Sequence, residues 1–319
     1  MLEEKELGEL VSNVKKTGAR RVLLQEPEGL KTRVLDIADK IEKEGKDKGI
    51  KVFVSCDPCY GGCDLIDREA KSLGCDLLVH IGHSEFNLRR KTQVPVIYEE
   101  YLLDFNPIPL LKKHLKLLRP SNSICLVTTA QYISSIEPAR KFLQANGKKV
   151  FIGQPSTAKH PGQVLGCDYS AAKPFDRLVD CFLFMGTGRF HPIGLATKVK
   201  KPVLVLDFEL GTMENMHRER DMLERIRFAQ VEKAKDLQRF GILVSNKPGQ
   251  ENLGTAEKAK QKLIKKGKSA WVLVMNEIRP ENIMGMRLEC LVNCACPRIT
   301  EDFRQFKMPI LNHEDVDRL

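Results

Sequence analysis

Three segments of this chain open in the same way, and that repetition limits the fold more than any other feature of the sequence. "ARRVLLQEPEGL" from Ala19, "SNSICLVTTAQYI" from Ser121 and "QRFGILVSNKPGQ" from Gln238 each set a short apolar run before a polar loop. A helical pattern follows, as in Leu30, Val34, Ile37, Ala38 and Ile41, spaced for one face of a helix. Second strands are expected in "KVFVS", "KKVFIG" and "SAWVLVM", and third strands in "DLLVHIG", "DCFLFMG" and "LECLVNC". "VPVIYEE", "KPVLVLDFE" and "MPILNHED" close the three sets. The unit recurs at about 100 to 120 residues, the signature of a repeated supersecondary block.

Strands that are nearly all apolar and alternate with amphipathic helices indicate parallel sheets covered on both faces. The expected fold is α/β, with three similar parallel-sheet domains over 1–108, 109–213 and 214–319 arranged around a central site. "TMENMHRERDMLERIRFAQVEKAKDLQ", at the junction of the second and third, is expected as one extended helix. In such sheets ligands bind beyond the carboxyl ends of the strands, so the strand-exit loops are where chemistry is sought.

Each unit carries a cysteine in such a loop. Cys63 follows the second strand of the first unit in "CYGGCDL", and Cys167 holds the matching place in "GQVLGCDYS". Both stand behind a glycine and before an aspartate. The third unit has Cys294 and Cys296 in "LVNCACPRIT", after its third strand and aligned with "HIGHSEF" of the first. Three such thiols cannot form a local knuckle; they meet only if three domains pack with their strand ends converging. Three thiolates would bind three irons of a 4Fe–4S cluster and leave the fourth open to substrate. The residues alone also allow these thiols to be small core side chains, and Cys56, Cys59 and Cys63 read CxxCxxxC, a possible local site. Cys75, Cys125, Cys181 and Cys290 lie in or beside apolar strands and are expected to pack there.

Composition narrows the setting. Ten cysteines, no apolar run of membrane length and an acidic amphipathic start, "MLEEKELGEL", point to a reducing, cytoplasmic location without a membrane span. The net charge of +10 suits an anionic partner. With a single Trp and no zinc-finger spacing, dedicated nucleic-acid binding is not expected.

"PEGL" at 27–30, "YGGCD" at 60–64, "HIGHSEF" at 80–86, "GQVLGC" at 162–167, "GTGRFHP" at 186–192 and "ACPRI" at 295–299 together resemble the diphthamide-synthesis enzymes, the 2-(3-amino-3-carboxypropyl)histidine synthases of archaea and their eukaryotic counterparts. The motifs run through the whole chain in the family's order. Gly62 stands where the family usually has alanine. The resemblance implies three α/β domains, each giving one cysteine to a 4Fe–4S cluster, and by motif that role falls to Cys63, Cys167 and Cys296. It implies cleavage of S-adenosylmethionine and transfer of its 3-amino-3-carboxypropyl group to the C2 carbon of a histidine in translation elongation factor 2. A homodimer and an external electron donor are expected, with Met213, Met216, Met222 and Leu223 as dimer surface.

Given that chemistry, Gly61, Gly62 and Gly166 become candidates for close backbone approach to the cofactor. Gln25 and Glu28 after the first strand, His80, His83 and Ser84 about the third, and Gly186, Gly188, Arg189 and His191 in the second unit are candidate contacts, as are Asp207 and Glu209. No general base is named. The alternatives are a quinolinate-synthase-like cluster enzyme and a noncatalytic zinc protein with His83 or Cys294 as fourth ligand.

Overall fold

The computed structural model describes residues 4–88, 90–300 and 303–319, the side chain of Phe303 excepted. Its strands form three sheets. The first holds β1 (Arg21–Gln25), β2 (Lys51–Val54), β3 (Leu77–Ile81) and β4 (Val96–Glu99) in the order β2-β1-β3-β4, all parallel. The second holds β5 (Ser123–Thr128), β6 (Lys149–Phe151), β7 (Cys181–Gly186), β8 (Val203–Asp207) and β9 (Thr212–Asn215) in the order β6-β5-β7-β8-β9. The third repeats the first pattern with β10 (Arg239–Ser245), β11 (Ser269–Met275), β12 (Cys290–Asn293) and β13 (Ile310–Asn312), ordered β11-β10-β12-β13. The threefold repeat expected from the sequence is thus the architecture.

Each central strand divides its side chains between two faces, because successive residues of a strand point to opposite sides. Val22 and Leu24 of β1, with Leu77, Val79 and Ile81 of β3, join the core under the helices Glu4–Thr17 and Lys31–Glu44. Leu23 and Leu78 go to the other face with Leu65, Ala70 and Cys75. The helix Glu4–Thr17 buries Leu7, Leu10, Val11 and Val14, an apolar stripe at helical spacing. Its acidic first turn (Glu4, Glu6) and basic last turn (Lys15, Lys16) complement the helix dipole. Complete burial of a side chain such as Leu24 stabilises by about 1.5–3 kcal/mol. Cys125, Cys181 and Cys290 are buried in their cores, as Cys75 is, and serve as packing residues.

The junction between the second and third units differs from the expectation of one long helix. Thr212–Asn215 forms β9, which pairs antiparallel with β8, and the helix runs only over His217–Ala234. The Asp207 carboxylate accepts the N–H groups of Glu209 and Leu210 at 3.0 and 2.9 Å and so closes the hairpin between the two strands. Met213 and Met216, expected as dimer surface, are core residues at 7% and 1% exposure. Leu223 lines a cleft between the second and third units, and only Met222 of that set is openly exposed. β9 crosses the expected 213/214 boundary. Phe105, expected in the first unit, stacks on Phe208 of the second with ring centroids 3.9 Å apart. Among the described residues no helix is long and apolar enough to cross a membrane.

Candidate functional site

The loop after β2 is tied down from two directions. Within the first unit, Gln25 Nε2 donates to the Asp64 carbonyl at 2.6 Å, and the Asp64 N–H donates to the Gly61 carbonyl at 2.9 Å. From the third unit, Lys247 Nζ reaches Asp64 Oδ2 at 2.6 Å, both side chains being only 6% exposed. The Gly249 N–H donates to the Cys63 carbonyl at 2.8 Å, and Gln250 Nε2 donates to Cys63 Sγ at 3.5 Å. A Cβ on Gly249 would lie 2.3 Å from Cys63 Cβ, so only glycine allows that approach.

The loop after β6 is organised by Asp168. Its carboxylate accepts the N–H groups of Thr157 and Ser170, each at 2.8 Å, and the Thr157 hydroxyl. Burial by itself would raise the Asp168 pKa, but the donors from Ser170 and Thr157 outweigh it and hold it down at about 2. Bonds to the first unit come from the Asn87 N–H to the Thr157 carbonyl (2.9 Å) and Gln163 Nε2 to Ser84 Oγ (2.7 Å). In the third loop, Asn293 Oδ1 accepts the Ala295 N–H at 3.0 Å and its Nδ2 donates to the Cys296 carbonyl at 2.9 Å. Arg298 then sits 5.3 Å above the Phe190 ring of the second unit. Every unit therefore touches both others at its strand-exit loops.

These contacts bring Cys63, Cys167 and Cys296 together. Burial pushes the Cys63 thiol up to about 11, with the charge of Cys296 adding to it. Cys167 is an exposed residue, yet the protein atoms packed about its thiol, and then Cys63 and Cys296, push it up to about 12. The ionised form of each of these thiols disfavours that of its neighbours, a cost that a bound cation would offset. Cys294 is different: 4% exposed, it lies in the hydrophobic core, where burial pushes its thiol up to about 12. Cys56 is exposed, whereas Cys59 is buried with its sulfur beside His80 and His83.

The remaining expected contacts divide. Gln25, His80 and His83 form a hydrogen-bonded chain that runs from the buried Gln25 and His80 to the half-buried His83: His80 Nδ1 lies 3.0 Å from Gln25 Oε1 and His80 Nε2 3.1 Å from His83 Nδ1. Ser84 spends its hydroxyl on Gln163. Glu28 is exposed and paired with Lys31 at 2.6 Å. Gly61 lies against Cys63 Sγ, where an added Cβ would make ordinary contact at 3.4 Å. The closeness at Gly62 and Gly166 is taken up by protein: an added Cβ would meet the Ser84 carbonyl at 2.6 Å or the Phe190 ring at 2.3 Å. Gly186 ends β7 and Gly188 lies in the turn beyond it. Arg189 pairs with Glu214 and Glu219, and His191 stacks on Phe184 at 6.3 Å. Asp207 closes the hairpin and Glu209 is exposed. A cleft of about 440 Å³ opens beside Cys167, lined by Gly166, Tyr169, Arg227 and Asn293 among others.

Lys247, Gly249, Gln250 and Asn293 were not singled out from sequence. The first three lie in "NKPGQ" immediately after the first strand of the third unit, so their place in the repeat already set them on the ligand side of the sheet.

Residues 26–317 match the model of the family described as "Putative diphthamide synthesis protein". The chain is 37% identical to the 2-(3-amino-3-carboxypropyl)histidine synthase of Pyrococcus horikoshii, over 100% of this chain and 91% of that protein. It is 28% identical to 2-(3-amino-3-carboxypropyl)histidine synthase subunit 1 of Aspergillus fumigatus, over 96% of this chain and 68% of that protein. The crystal structure of Dph2 from Pyrococcus horikoshii with a 4Fe-4S cluster has a TM-score of 0.91 at 36% identity, covering 98% of this chain and 89% of that one. With family model, full-length sequence similarity and fold in agreement, the chain belongs to the diphthamide synthesis protein family.

Proposed function

We propose that this protein transfers the 3-amino-3-carboxypropyl group of S-adenosylmethionine to the imidazole C2 carbon of a histidine in translation elongation factor 2, the first step of diphthamide biosynthesis. The observation that carries the reading is the meeting of Cys63, Cys167 and Cys296, one from each unit, at the carboxyl ends of three sheets. In this reading the three thiolates hold a 4Fe–4S cluster. The donor set fits it: three soft sulfur ligands, with Cys63 and Cys167 raised in pKa by burial and by neighbouring thiols and Cys294 withdrawn into the core. When bound and reduced, such a cluster supplies the electron that breaks a carbon–sulfur bond of the sulfonium substrate.

The chain's own residues supply placement and solvent exclusion. Gln250 offers an N–H to the Cys63 sulfur, the kind of donor that tunes cluster potential. The Asp64–Lys247 pair and the Asp168 hydrogen bonds hold two of the three thiol loops in register. We assign substrate entry to the cleft beside Cys167, with Gly166 among the contacts. Elongation factor 2 is the protein acceptor, and a homodimer and an external electron donor complete the expected partners.

Anaerobic turnover with dithionite, S-adenosylmethionine and elongation factor 2 tests the reading. Methylthioadenosine and a labelled carboxypropyl group on elongation factor 2, absent when its target histidine is replaced, are expected. If 5′-deoxyadenosine is the main product, the proposed cleavage is wrong.

A further inference from the structure

One ring nitrogen each of His80 and His83 and the sulfur of Cys59 lie within 4.8 Å of one another. None of these residues belongs to the three-thiol centre. His80 Nε2 and His83 Nδ1 are 3.1 Å apart, close to the edge of about 3.3 Å that two nitrogens define around a tetrahedral zinc ion with bonds of about 2.0–2.1 Å.

The surroundings prepare the ligand atoms. Gln25 Nε2 donates to the Asp64 carbonyl, which leaves Gln25 Oε1 as an acceptor, and that oxygen faces His80 Nδ1 at 3.0 Å. His80 is therefore the tautomer with its proton on Nδ1 and a bare lone pair on Nε2. A histidine whose second nitrogen is anchored to an oxygen in this way is the usual outer support of a bound metal. Burial keeps both rings neutral, lowering His80 to about 3 and His83 to about 4, so neither ring repels a cation. Cys59 is 4% exposed, and burial, with the Asp64 carboxylate adding to it, pushes its thiol up to about 12 against the backbone N–H of Gly61 that its sulfur accepts, so without an ion it is a neutral thiol and a bound cation supplies the charge that a thiolate there needs.

We infer that Cys59, His80 and His83 form a second metal site, a three-ligand NNS site for a zinc-class divalent ion, separate from the three-cysteine centre. Binding converts the Cys59 thiol to a zinc-bound thiolate with release of one proton. The His83 proton moves from Nδ1 to Nε2, freeing Nδ1 for the ion. A fourth position stays open to water. The ion would pin the loop carrying Cys63 to the exit of β3, since Cys59 lies on that loop and His83 precedes Ser84, against whose carbonyl Gly62 packs. Its role is to present Cys63, without itself touching substrate.

The test uses anaerobically purified, cluster-loaded protein supplied with Zn²⁺, read by metal analysis and zinc-edge X-ray absorption, to which iron does not contribute. One zinc per chain is expected beyond the cluster iron, with one sulfur at about 2.3 Å and nitrogens at about 2.0–2.1 Å. Cys59→Ser should lose the sulfur shell and Cys63→Ser should retain it. His83→Gln, which keeps a polar side chain of similar reach, serves as the second variant if Cys59→Ser does not fold, and should lower zinc affinity at least tenfold. Failure of the loaded protein to take up zinc overturns the site. So does an all-sulfur shell lost in Cys63→Ser, which would put the zinc on the cluster cysteines, or unchanged zinc in both Cys59→Ser and His83→Gln. Because zinc is read apart from turnover, failure here leaves the carboxypropyl transfer standing.

Discussion

Gln250 of the third unit donates a hydrogen bond from Nε2 to the Sγ of Cys63 in the first, at 3.5 Å, so the sulfur of one domain is tuned by a side chain of another. A donor to a cluster sulfur stabilises the more negative, reduced state. Gln250→Leu should therefore shift the cluster's midpoint potential to more negative values while iron content stays at the parent level. A redox titration followed by electron paramagnetic resonance measures this; an unchanged potential would remove Gln250 from the tuning of the cluster.

The two cysteines of "CAC" should behave oppositely. Cys63→Ala, Cys167→Ala and Cys296→Ala are each expected to abolish an intact 4Fe–4S cluster. Cys294→Ala should keep it and destabilise the fold by about 1 kcal/mol, the scale of a small core truncation. Iron and sulfide analysis with denaturant unfolding separates these outcomes, and full cluster content in Cys296→Ala would reverse the assignment.

Gly249 is a second point of dependence between units. Because its added Cβ would fall 2.3 Å from Cys63 Cβ and 2.7 Å from Cys63 Cα, Gly249→Ala must push the two loops apart. Destabilisation of about 1–3 kcal/mol is expected, with faster loss of iron on exposure to air than in the parent. A variant with parent stability and iron retention would show that the loops are free to part.

The buried pair Asp64–Lys247 joins the same two units at 2.6 Å. Lys247→Met leaves the Asp64 carboxyl buried without its cation, a change that costs about 3–5 kcal/mol in comparable sites. Replacing both, as Asp64→Leu with Lys247→Met, should recover most of that loss. Urea unfolding of the single and double variants measures the coupling; equal stability of the two would show that the pair contributes nothing.

Asp168 gives a dependence on pH. Its folded pKa, about 2, lies below the ordinary aspartate value of 3.8. The stabilisation it provides is therefore complete above about pH 4 and is lost as pH falls from there toward 2. The shift corresponds to about 2 kcal/mol. Asp168→Asn should flatten the acid limb of the stability profile across that window, and a limb identical to the parent's would assign acid loss to other carboxyls.

Much of this molecule was legible in its sequence because the determinants are local. Apolar runs alternating with helical patterns specify parallel strands one after another, and recurrence of the pattern yields three sheets that share one four-stranded parallel order, with Cys63, Cys167 and Cys296 in exit loops. Even the choice between Cys294 and Cys296 had a local signal. Cys290, Val292 and Cys294 alternate onto one face of β12 and its extension, and all three reach the same core. That alternation stops before Cys296. β9 was missed because four residues, "TMEN", are too few to distinguish a strand from the start of a helix, and pairing with β8 decided the matter. What only the tertiary structure decided are the meetings across units: Asp64 with Lys247, Gln250 with Cys63, Gln163 with Ser84, Arg298 with Phe190. A side chain's chemistry shows that it needs a partner, but no periodicity encodes which residue of another domain will be that partner. That is settled only when three separately patterned units pack together and their buried polar groups must all be satisfied at once.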